Sequence, residues 1–324
     1  YASGQVPTGL AVVRAASVVS GSGSNSPFGV QPIVHIVNAA GTKIDSSLEV
    51  TAKVMSGSNQ VVVSRTVTAV NGVADFTGQG LWTNTLRPTQ VVFEAAGLLP
   101  ATQLVQVMQR PTSINIVPNS QAIVSTPGTW VDGDFFADPS VLNAVLRVGD
   151  IVDRLNAGLQ VNLIATTGNI DVNENITTSN LAGSLLLSAG TDANVNRNIV
   201  VSGPTSSVIV RANRDVIMVR GTSNDNRIRV HSNNGTLALW SDADSNSQGA
   251  VFMRNHTELR SNGGDIYVAG GASTVSEGIS VPGGFAAGYS GTYFTGVQLG
   301  EWNLRDQVRI VSGGGDIVIR GTSN

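Results

Sequence analysis

Residues 160–176, QVNLIATTGNIDVNENI, carry the clearest structural signal in the chain, since two short runs of alternating apolar and polar residues flank a turn-forming Thr-Gly-Asn. A period of two that is closed by Gly, Asn, Asp or Ser is typical of a short β-strand and its turn. The same pattern returns at 184–190, 214–224, 225–235, 235–242, 264–271 and 315–324. Evenly spaced short strands of this kind predict a repetitive β-architecture from residue 160 onward.

The spacing of the apolar residues indicates the size of the repeat. Apolar pairs recur about every ten residues, at Ile217/Val219, Ile228/Val230 and Leu237/Leu239. Two or three strands per coil then predict roughly 20 to 30 residues per turn. We expect these residues, Ile217 among them, to point into a column of aliphatic side chains that the stacked coils bury.

The sequence Arg-Gly-Thr-Ser-Asn occurs at 220–224 and returns at 320–324. Another strand candidate follows the first copy, whereas the second copy coincides with the last residue. This pattern indicates a cut through an array of coils. We therefore expect either an excerpt of a longer protein or a subunit whose last coil is covered by another molecule.

Residues 139–158, PSVLNAVLRVGDIVDRLNAG, form the one segment with helical periodicity. Apolar residues between 141 and 146 make one face, Gly149 interrupts the helix, and Gly158 ends it. A lone amphipathic helix directly before a β-repeat predicts a cap, because the first coil of a solenoid exposes its apolar interior and an unpaired edge.

Residues 6–108 predict a separate small all-β unit. About seven strand candidates over roughly 100 residues suit an immunoglobulin-like sandwich. In one of them Val50, Ala52 and Val54 alternate with polar residues, which predicts one buried face and one wet face. Asn71-Gly72 lies between two strand candidates and predicts a two-residue hairpin turn, because a type I′ turn needs positive φ at both positions.

Four phrases of this first part resemble a bacterial Ig-like domain of the invasin and intimin type. They are QPIVHIVNAAGTKID, LEVTAKV, TVTAVNGVADFTGQGL and VVFEAAGLLPATQLVQV. The likeness covers about a third of the chain, with Asn-Ala-Ala-Gly-Thr at 38–42 in place of the acidic turn usual there. It implies an Ig-like sandwich that acts as a spacer in a cell-surface protein.

A second resemblance covers residues 150–270 best. The phrases DIVDRLNAGLQVNLIATTGNIDVNENI and LLLSAGTDANVNRNIVV are similar to the repeats of filamentous haemagglutinin-like large exoproteins. There a short helix ending in L-N-A-G leads into coils of the form V-x-L-x-T-x-x-G-x-I-x-V. The resemblance implies a right-handed parallel β-helix with a helical cap, in a secreted bacterial adhesin.

The expected fold class is therefore all-β, an Ig-like β-sandwich followed by a helix-capped right-handed parallel β-helix. Three parts follow in order along the chain. They are the sandwich at 1–110, a connector with the capping helix at 111–158, and the β-helix at 159–324 with an insertion near 272–302.

Composition excludes several classes of function. The net charge is −3, charged residues make up 13%, and the 17 arginines are scattered along the sequence, so no polybasic surface for nucleic acid is expected. There is no cysteine, which excludes disulfides and thiolate metal sites. No run approaches the length of a transmembrane helix, and the first residues lack the pattern of a signal peptide.

Asp242, Asp244 and Asn246 stand at alternate positions in SDADSNSQG, a spacing that can present oxygen ligands to a hard cation. We consider a calcium site here beside an ordinary Asx-rich turn. The last position of an EF-hand loop, which requires a carboxylate, is occupied by Met253. No other cofactor is expected.

Near 272–302 the rhythm of short strands gives way to a Gly-rich insertion, which we expect to project from the coils as a loop or hairpin. Its aromatic residues are candidates for partner binding, because exposed rings supply contact area for a protein or a sugar. They are Phe285, Tyr289, Tyr293, Phe294 and Trp302. The alternative is that these rings pack on a flank of the coils.

Two polar patterns leave alternatives open. Strand candidates about fifty residues apart are preceded by Asp215, Asp265 and Asp316. These could be acid–base carboxylates at similar positions of a polysaccharide-degrading β-helix, or routine turn residues. Asp192, Asn194, Asn196 and Asn198 also alternate along the chain, and we expect them to form either a polar binding strip or a hydrogen-bonded ladder between coils.

These features predict an extracellular protein that is not an enzyme, secreted or held at a bacterial cell surface. The expected function is that of an adhesin segment, a rigid stalk that presents a binding surface to a glycan or protein on a host or neighbouring cell. One alternative is a filament subunit that binds copies of itself by β-augmentation or coil stacking. The other is a β-helix polysaccharide lyase or hydrolase.

Overall fold

The computed structural model describes residues 6–20, 26–55, 60–84, 89–105, 107–121, 125–138, 141–179, 181–223, 225–288, 295–301 and 307–323. The chain forms two compact units, Tyr1–Gln109 and Arg110–Asn324. Within the described residues there are thirty-four strands and one helix, so the predicted all-β class is confirmed.

The first unit consists of short strands. In chain order they are β1 (Gly9–Arg14), β2 (Ser17–Ser20), β3 (Ser26–Val30), β4 (Ile33–Val37), β5 (Glu49–Met55), β6 (Val61–Thr68), β7 (Val73–Asp75), β8 (Trp82–Thr83), β9 (Thr89–Glu94), β10 (Ala101–Val105) and β11 (Val107–Gln109). Two antiparallel sheets have the strand orders β1-β4-β7 and β10-β9-β5-β6. In addition, β3 pairs antiparallel with β2 and β8, and β11 pairs parallel with β2.

Both antiparallel sheets contribute to one hydrophobic core. Along β5 the predicted alternation is confirmed, since Val50, Ala52 and Val54 are fully buried and the residues between them are partly exposed. The rings of Phe76 and Phe93 pack at a tilt, with centroids 5.8 Å apart.

The predicted turn at Asn71-Gly72 is also confirmed. Both residues have positive φ, 49° and 75°. The backbone amides and carbonyls of Val70 and Val73 bond reciprocally, at 2.9 and 3.0 Å. A side chain at position 72 would meet the carbonyl oxygen of Ile44 at 1.9 Å, so glycine is required there by space as well as by conformation.

The second unit begins with strands around the helix and continues as a long series of strands. Its elements are β12 (Ser113–Val117), β13 (Gly128–Val131), β14 (Asp134–Ala137), β15 (Asn143–Arg147), α1 (Val148–Asn156), β16 (Val161–Ile164), β17 (Ile170–Val172), β18 (Ile176–Thr177), β19 (Leu185–Ala189), β20 (Ala193–Val195), β21 (Ile199–Val200), β22 (Ser206–Ala212), β23 (Val216–Met218), β24 (Ile228–His231), β25 (Asn234–Ser241), β26 (Val251–Met253), β27 (Thr257–Arg260), β28 (Ile266–Ser276), β29 (Ile279–Gly284), β30 (Ala286–Ala287), β31 (Val297–Leu299), β32 (Arg309–Val311), β33 (Ile317–Ile319) and β34 (Gly321–Thr322).

Most of these strands stack into three parallel sheets. The first sheet contains β16-β19-β22-β25-β28-β33, the second β15-β12-β17-β20-β23-β26-β31, and the third β18-β21-β24-β27-β32. The chain visits the three sheets in turn, and we call one such passage a coil. From β16 onward, residues stacked on successive coils are 23 positions apart at first, later 29, and finally 51, whereas the partners on β12 and β17 are 56 positions apart. The early coils match the predicted repeat length, and later ones are lengthened by insertions between strands.

The three sheets share one aliphatic core, and its register differs by one residue from the prediction at β23. Val216 and Met218 are fully buried, whereas Ile217 between them is partly exposed. The expectation that Ile217 points into the core is therefore wrong. Residues 216–219 are all apolar, so their pattern does not say which face is inward, and the choice is made by the pairing of Val216 with Ala193 and Val251.

The predicted helix over 139–158 is wrong in its first half. Asn143–Arg147 form β15, which pairs parallel with β12 and buries Ala144 and Leu146 on one side. The helix α1 starts at Val148, and Gly149, which was expected to interrupt the helix, lies in its first turn. The backbone amide of Gly149 donates to Oδ1 of Asn119, 2.9 Å away, so a residue distant in sequence caps the helix.

The helix α1 still covers apolar side chains at the start of the series of coils. It contacts β15, β16 and β18, and it buries Val148, Ile151 and Leu155. On its exposed side the Arg154 guanidinium lies 4.2 Å from the ring centroid of Trp130. Residues 113–117 and 143–147 lie within the expected connector at 111–158 and are strands of the second sheet.

Amide side chains bond along the outside of the second sheet. Nδ2 of Asn173 donates to Oδ1 of Asn115, and Nδ2 of Asn196 donates to Oδ1 of Asn173, both at 2.8 Å. Beside this row, Nδ2 of Asn194 donates to Oδ1 of Asp171 at 2.7 Å. The ladder alternative is confirmed for these asparagines, because their amides join one coil to the next.

The one-residue register yields a matched pair of variants. Val216→Asp places an unpaired charge in the core, and we expect it to lower the free energy of unfolding by about 3–5 kcal/mol. Ile217→Asp places the same charge on the partly exposed face, and we expect it to change the free energy of unfolding by less than about 1 kcal/mol. Urea denaturation followed by circular dichroism measures both. Equal destabilisation by the two variants would contradict the register.

Candidate binding surface

A hairpin formed by β28 and β29 extends from the first sheet at the fifth coil. The first half of β28 pairs parallel with β25, and its second half pairs antiparallel with β29, from Ser273–Pro282 to Ser276–Ile279. Glu277 and Gly278 form the turn, with φ of 49° and 80°, as a two-residue hairpin requires. The predicted insertion near 272–302 thus begins as an ordered hairpin.

The hairpin shields Trp240, which points to the outer side of the first sheet. Its indole Nε1 donates to the carbonyl oxygen of Gly271 at 2.8 Å, and the residue is only 1% exposed. The guanidinium of Arg211, the ladder neighbour of Trp240, lies 4.7 Å from the indole centroid. Burial lowers the pKa of Arg211, and the nearby Asp244 carboxylate opposes that shift. Even so, the side chain stays a cation at neutral pH.

A cleft of about 390 Å³ opens between the hairpin tip and the first sheet. Leu186 and Ile209 form apolar walls, and Ser184, Ser207 and Ser280 supply hydroxyls. Arg211 lines the same cleft, and its Nε is buried without a hydrogen-bond partner in the part of the chain that the structure describes. A cleft with apolar walls, hydroxyls and one cation suits a sugar or a peptide that carries an acidic group.

Two of the serine hydroxyls are already oriented. Oγ of Ser184 accepts the backbone amide of Ser207 at 3.0 Å, and Oγ of Ser207 accepts the backbone amide of Thr236 at 3.1 Å. Because a hydroxyl that accepts still has one proton to donate, both can bond an acceptor in the cleft. No local sequence motif predicts this site, because its residues lie on different coils.

The predicted aromatic cluster is only partly described. Phe285 directly follows β29, and 54% of its surface is exposed, as expected of a contact residue. Tyr289, Tyr293, Phe294 and Trp302 lie outside the described residues. Partner binding by this cluster stays a prediction.

The predicted calcium ligands lie in a loop whose polar atoms bond one another. Oδ1 of Asp242 and Oδ1 of Asn246 both accept the backbone amide of Gln248, at 3.3 and 2.9 Å. Nδ2 of Asn246 donates to Oδ2 of Asp244 at 2.9 Å. Asp242 is nearly buried, and burial raises the pKa of its carboxyl. This is the geometry of an Asx-rich turn, and calcium binding stays a prediction.

The three aspartates considered for acid–base chemistry do not occupy one position of the coils. Asp215 precedes β23 of the second sheet, is buried, and accepts the backbone amide of Ala250 at 2.8 Å. Asp265 and Asp316 precede strands of the first sheet, and the amide of Asp316 donates to Oδ1 of Asp265 at 2.8 Å. The expectation that Asp215 occupies the same position on its coil as Asp265 and Asp316 is wrong. The coils differ in length, so an equal spacing in sequence does not give an equal position on the coil.

Comparisons of the chain with protein-family models, curated proteins and solved structures return no match. Among the described residues, no helix reaches the length and apolarity that a bilayer crossing requires.

Asp242 allows a test that separates its charge from its hydrogen bond. Asp242→Asn keeps an acceptor for the amide of Gln248 and removes a buried charge, and asparagine tolerates the positive φ of 48°. We expect stability at neutral pH equal to or above wild type. Because the pKa of Asp242 is higher in the folded than in the unfolded protein, the wild type loses stability as the pH rises from the ordinary aspartate pKa through the folded one. Below the ordinary pKa the carboxyl is protonated in both states, so the advantage of Asp242→Asn disappears there. Thermal melts from acid to neutral pH measure this.

Asp242→Ala is the matched control, because it removes the acceptor as well as the charge and should lower the free energy of unfolding by about 1–2 kcal/mol. Repeating the melts with calcium tests the ion. A bound ion would raise the melting temperature of the wild type but not that of Asp244→Asn. Destabilisation of Asp242→Asn as large as that of Asp242→Ala would contradict the penalty assigned to the buried charge.

Proposed function

We propose that the chain is a non-catalytic segment of an extracellular adhesin, in which a right-handed parallel β-helix forms a rigid stalk that carries a binding surface. The observation that carries the proposal is the in-register parallel pairing of successive coils in three sheets around one aliphatic core. In such an arrangement every coil bonds to the next along the backbone. Bending or shearing the stack would break many of these bonds together, which makes it a stiff support.

The outer surfaces of the second unit support the same proposal. Asparagine side chains bond between coils on one sheet, and α1 buries apolar side chains beside the first strands. Both devices stabilise a stack of coils against fraying, as a solenoid requires. The likeness of residues 150–270 to filamentous haemagglutinin-like exoproteins agrees with a secreted or surface-held protein.

For the first unit we propose an Ig-like sandwich that serves as a spacer. Two antiparallel sheets contribute to one core, and β5 and β9 alternate between buried residues and residues that are partly or fully exposed. The likeness to domains of the invasin and intimin type supports this assignment.

The binding element that we propose is the cleft beneath the β28–β29 hairpin, together with the aromatic segment that follows the hairpin. Arg211 supplies a cation held against Trp240, and the serine hydroxyls supply directed donors. A glycan or protein on a host or neighbouring cell would present complementary acceptors.

Binding to arrayed glycans and matrix proteins tests the proposal. The wild-type chain should bind at least one class of array member, and Arg211→Gln should weaken that binding by about tenfold, since it removes the cation of the cleft. Arg65→Gln in the first unit is the matched control and should bind as wild type does. Binding unchanged by Arg211→Gln would place the binding element elsewhere.

Two further measurements distinguish the alternatives. Electron microscopy of the purified chain should show separate particles, and regular filaments would contradict the adhesin proposal in favour of a homopolymer subunit. Incubation with acidic polysaccharides should release no reducing ends. Release that Asp265→Asn abolishes would instead identify a lyase or hydrolase.

A further inference from the structure

The third sheet gathers arginines that are far apart in sequence. On its outer side Arg229 of β24 pairs with Glu258 of β27, which pairs in turn with Arg309 of β32. In the adjacent row His231 pairs with Arg260. The residues of one row are separated by 29 and 51 positions, so arginines that look scattered along the sequence become neighbours on adjoining strands.

One carboxylate lies in the middle of these bases. Glu258 has only 5% of its side chain exposed, and it bonds Nε2 of His231, Nε of Arg260 and Nη1 of Arg309 at 3.1, 3.3 and 3.2 Å. Through these bonds the Glu258 carboxylate fixes the positions of the Arg260 and Arg309 guanidinium groups. Arg260 and Arg309 still expose 36% and 47% of their side chains, so their outer edges remain accessible.

The row continues into a groove of about 320 Å³ at the corner between the second and third sheets. Arg197 and Arg220 are exposed at its edges, and Arg229 lines it. Nη2 of Arg229 donates to the carbonyl oxygen of Asp225, and its backbone amide donates to Oδ1 of Asn198, which orients this residue. The asparagine amides and the hydroxyl of Thr222 add neutral donors to the same groove.

We propose that this arginine face, defined by Arg197, Arg220, Arg229, Arg260 and Arg309, binds a linear acidic polysaccharide through its uronate carboxylates. It is separate from the cleft beneath the hairpin and does not depend on it. A guanidinium fork matches a carboxylate in two parallel hydrogen bonds. The groove's amides and hydroxyl suit the hydroxyls of the sugar rings.

The distribution of the cations favours a polymer over a small anion. The five arginines lie on four successive coils, and three strand spacings correspond to about 14 Å. One small carboxylate would reach only part of this row, whereas a chain with repeated carboxylates can follow it. Two acidic residues immediately precede groove residues in the sequence: Glu174 precedes Asn175, whose backbone amide it accepts at 2.7 Å, and Asp225 precedes Asn226.

The groove lining disfavours single-stranded nucleic acid as the occupant. Proteins that bind single strands commonly stack bases on aromatic side chains. The described lining of this groove consists of arginines, asparagines and small or aliphatic residues, and no aromatic ring is among them. Amides and guanidinium groups without stacking platforms suit a sugar acid better.

Binding of the full chain to polygalacturonate, measured by biolayer interferometry, tests the proposal. The wild type should bind polygalacturonate and not neutral dextran, and the affinity should fall with rising ionic strength because exposed charges are screened. Arg197→Gln/Arg220→Gln removes two exposed cations and should weaken binding by about tenfold. Asp225→Asn removes the carboxylate that precedes the groove residue Asn226 and should tighten it.

Lys43→Gln/Arg65→Gln in the first unit is the matched control, with the same loss of charge and no expected loss of binding. Thermal melts of both double variants establish that they fold. Equal weakening of binding by the two double variants would show that binding depends on net charge alone, and this would overturn the proposal. Absence of wild-type binding, or tighter binding of single-stranded or duplex DNA at equal charge concentration, would overturn it as well.

Discussion

The parallel pairing of one coil with the next is the constraint on which the second unit depends. Backbone hydrogen bonds set each residue beside a partner on the preceding coil, and the side chains then alternate between core and surface. Once Val216 is inward, Ile217 has to be outward, and the same rule decides every position of the ladder. The division between core side chains and outer side chains in these ladders is therefore a consequence of how the strands pair.

Stacking of equivalent positions limits which side chains can form the outer rows. Amides are suited to it, because each asparagine has a donor and an acceptor and can bond in both directions, as Asn173 does. Identical charges stacked at the same spacing would repel each other. On the third sheet this repulsion is relieved by Glu258, which lies between Arg229 and Arg309 in the row.

The pairing of strands does not fix the length of the connections between them. From β16 onward the spacing between stacked residues grows from 23 to 51 positions, and most of the extra residues are taken up between strands, apart from one register shift between β22 and β25. The β28–β29 hairpin is one such extension, and it creates the cleft that contains Arg211 and covers Trp240. Sites for partners can thus be added at the turns, while the core stays the same.

The sequence alone determined the local features of this protein: the all-β class, the turn at Asn71-Gly72, and the inward side of a strand with strict alternation, as in β5 with Val50, Ala52 and Val54. These depend on neighbouring residues only. Tertiary structure decided the register of the uniformly apolar run at 216–219, the strand at Asn143–Arg147, and the meeting of Arg229, Glu258 and Arg309. Each of these depends on a partner 23 or more positions away, and that distance varies with the length of every coil.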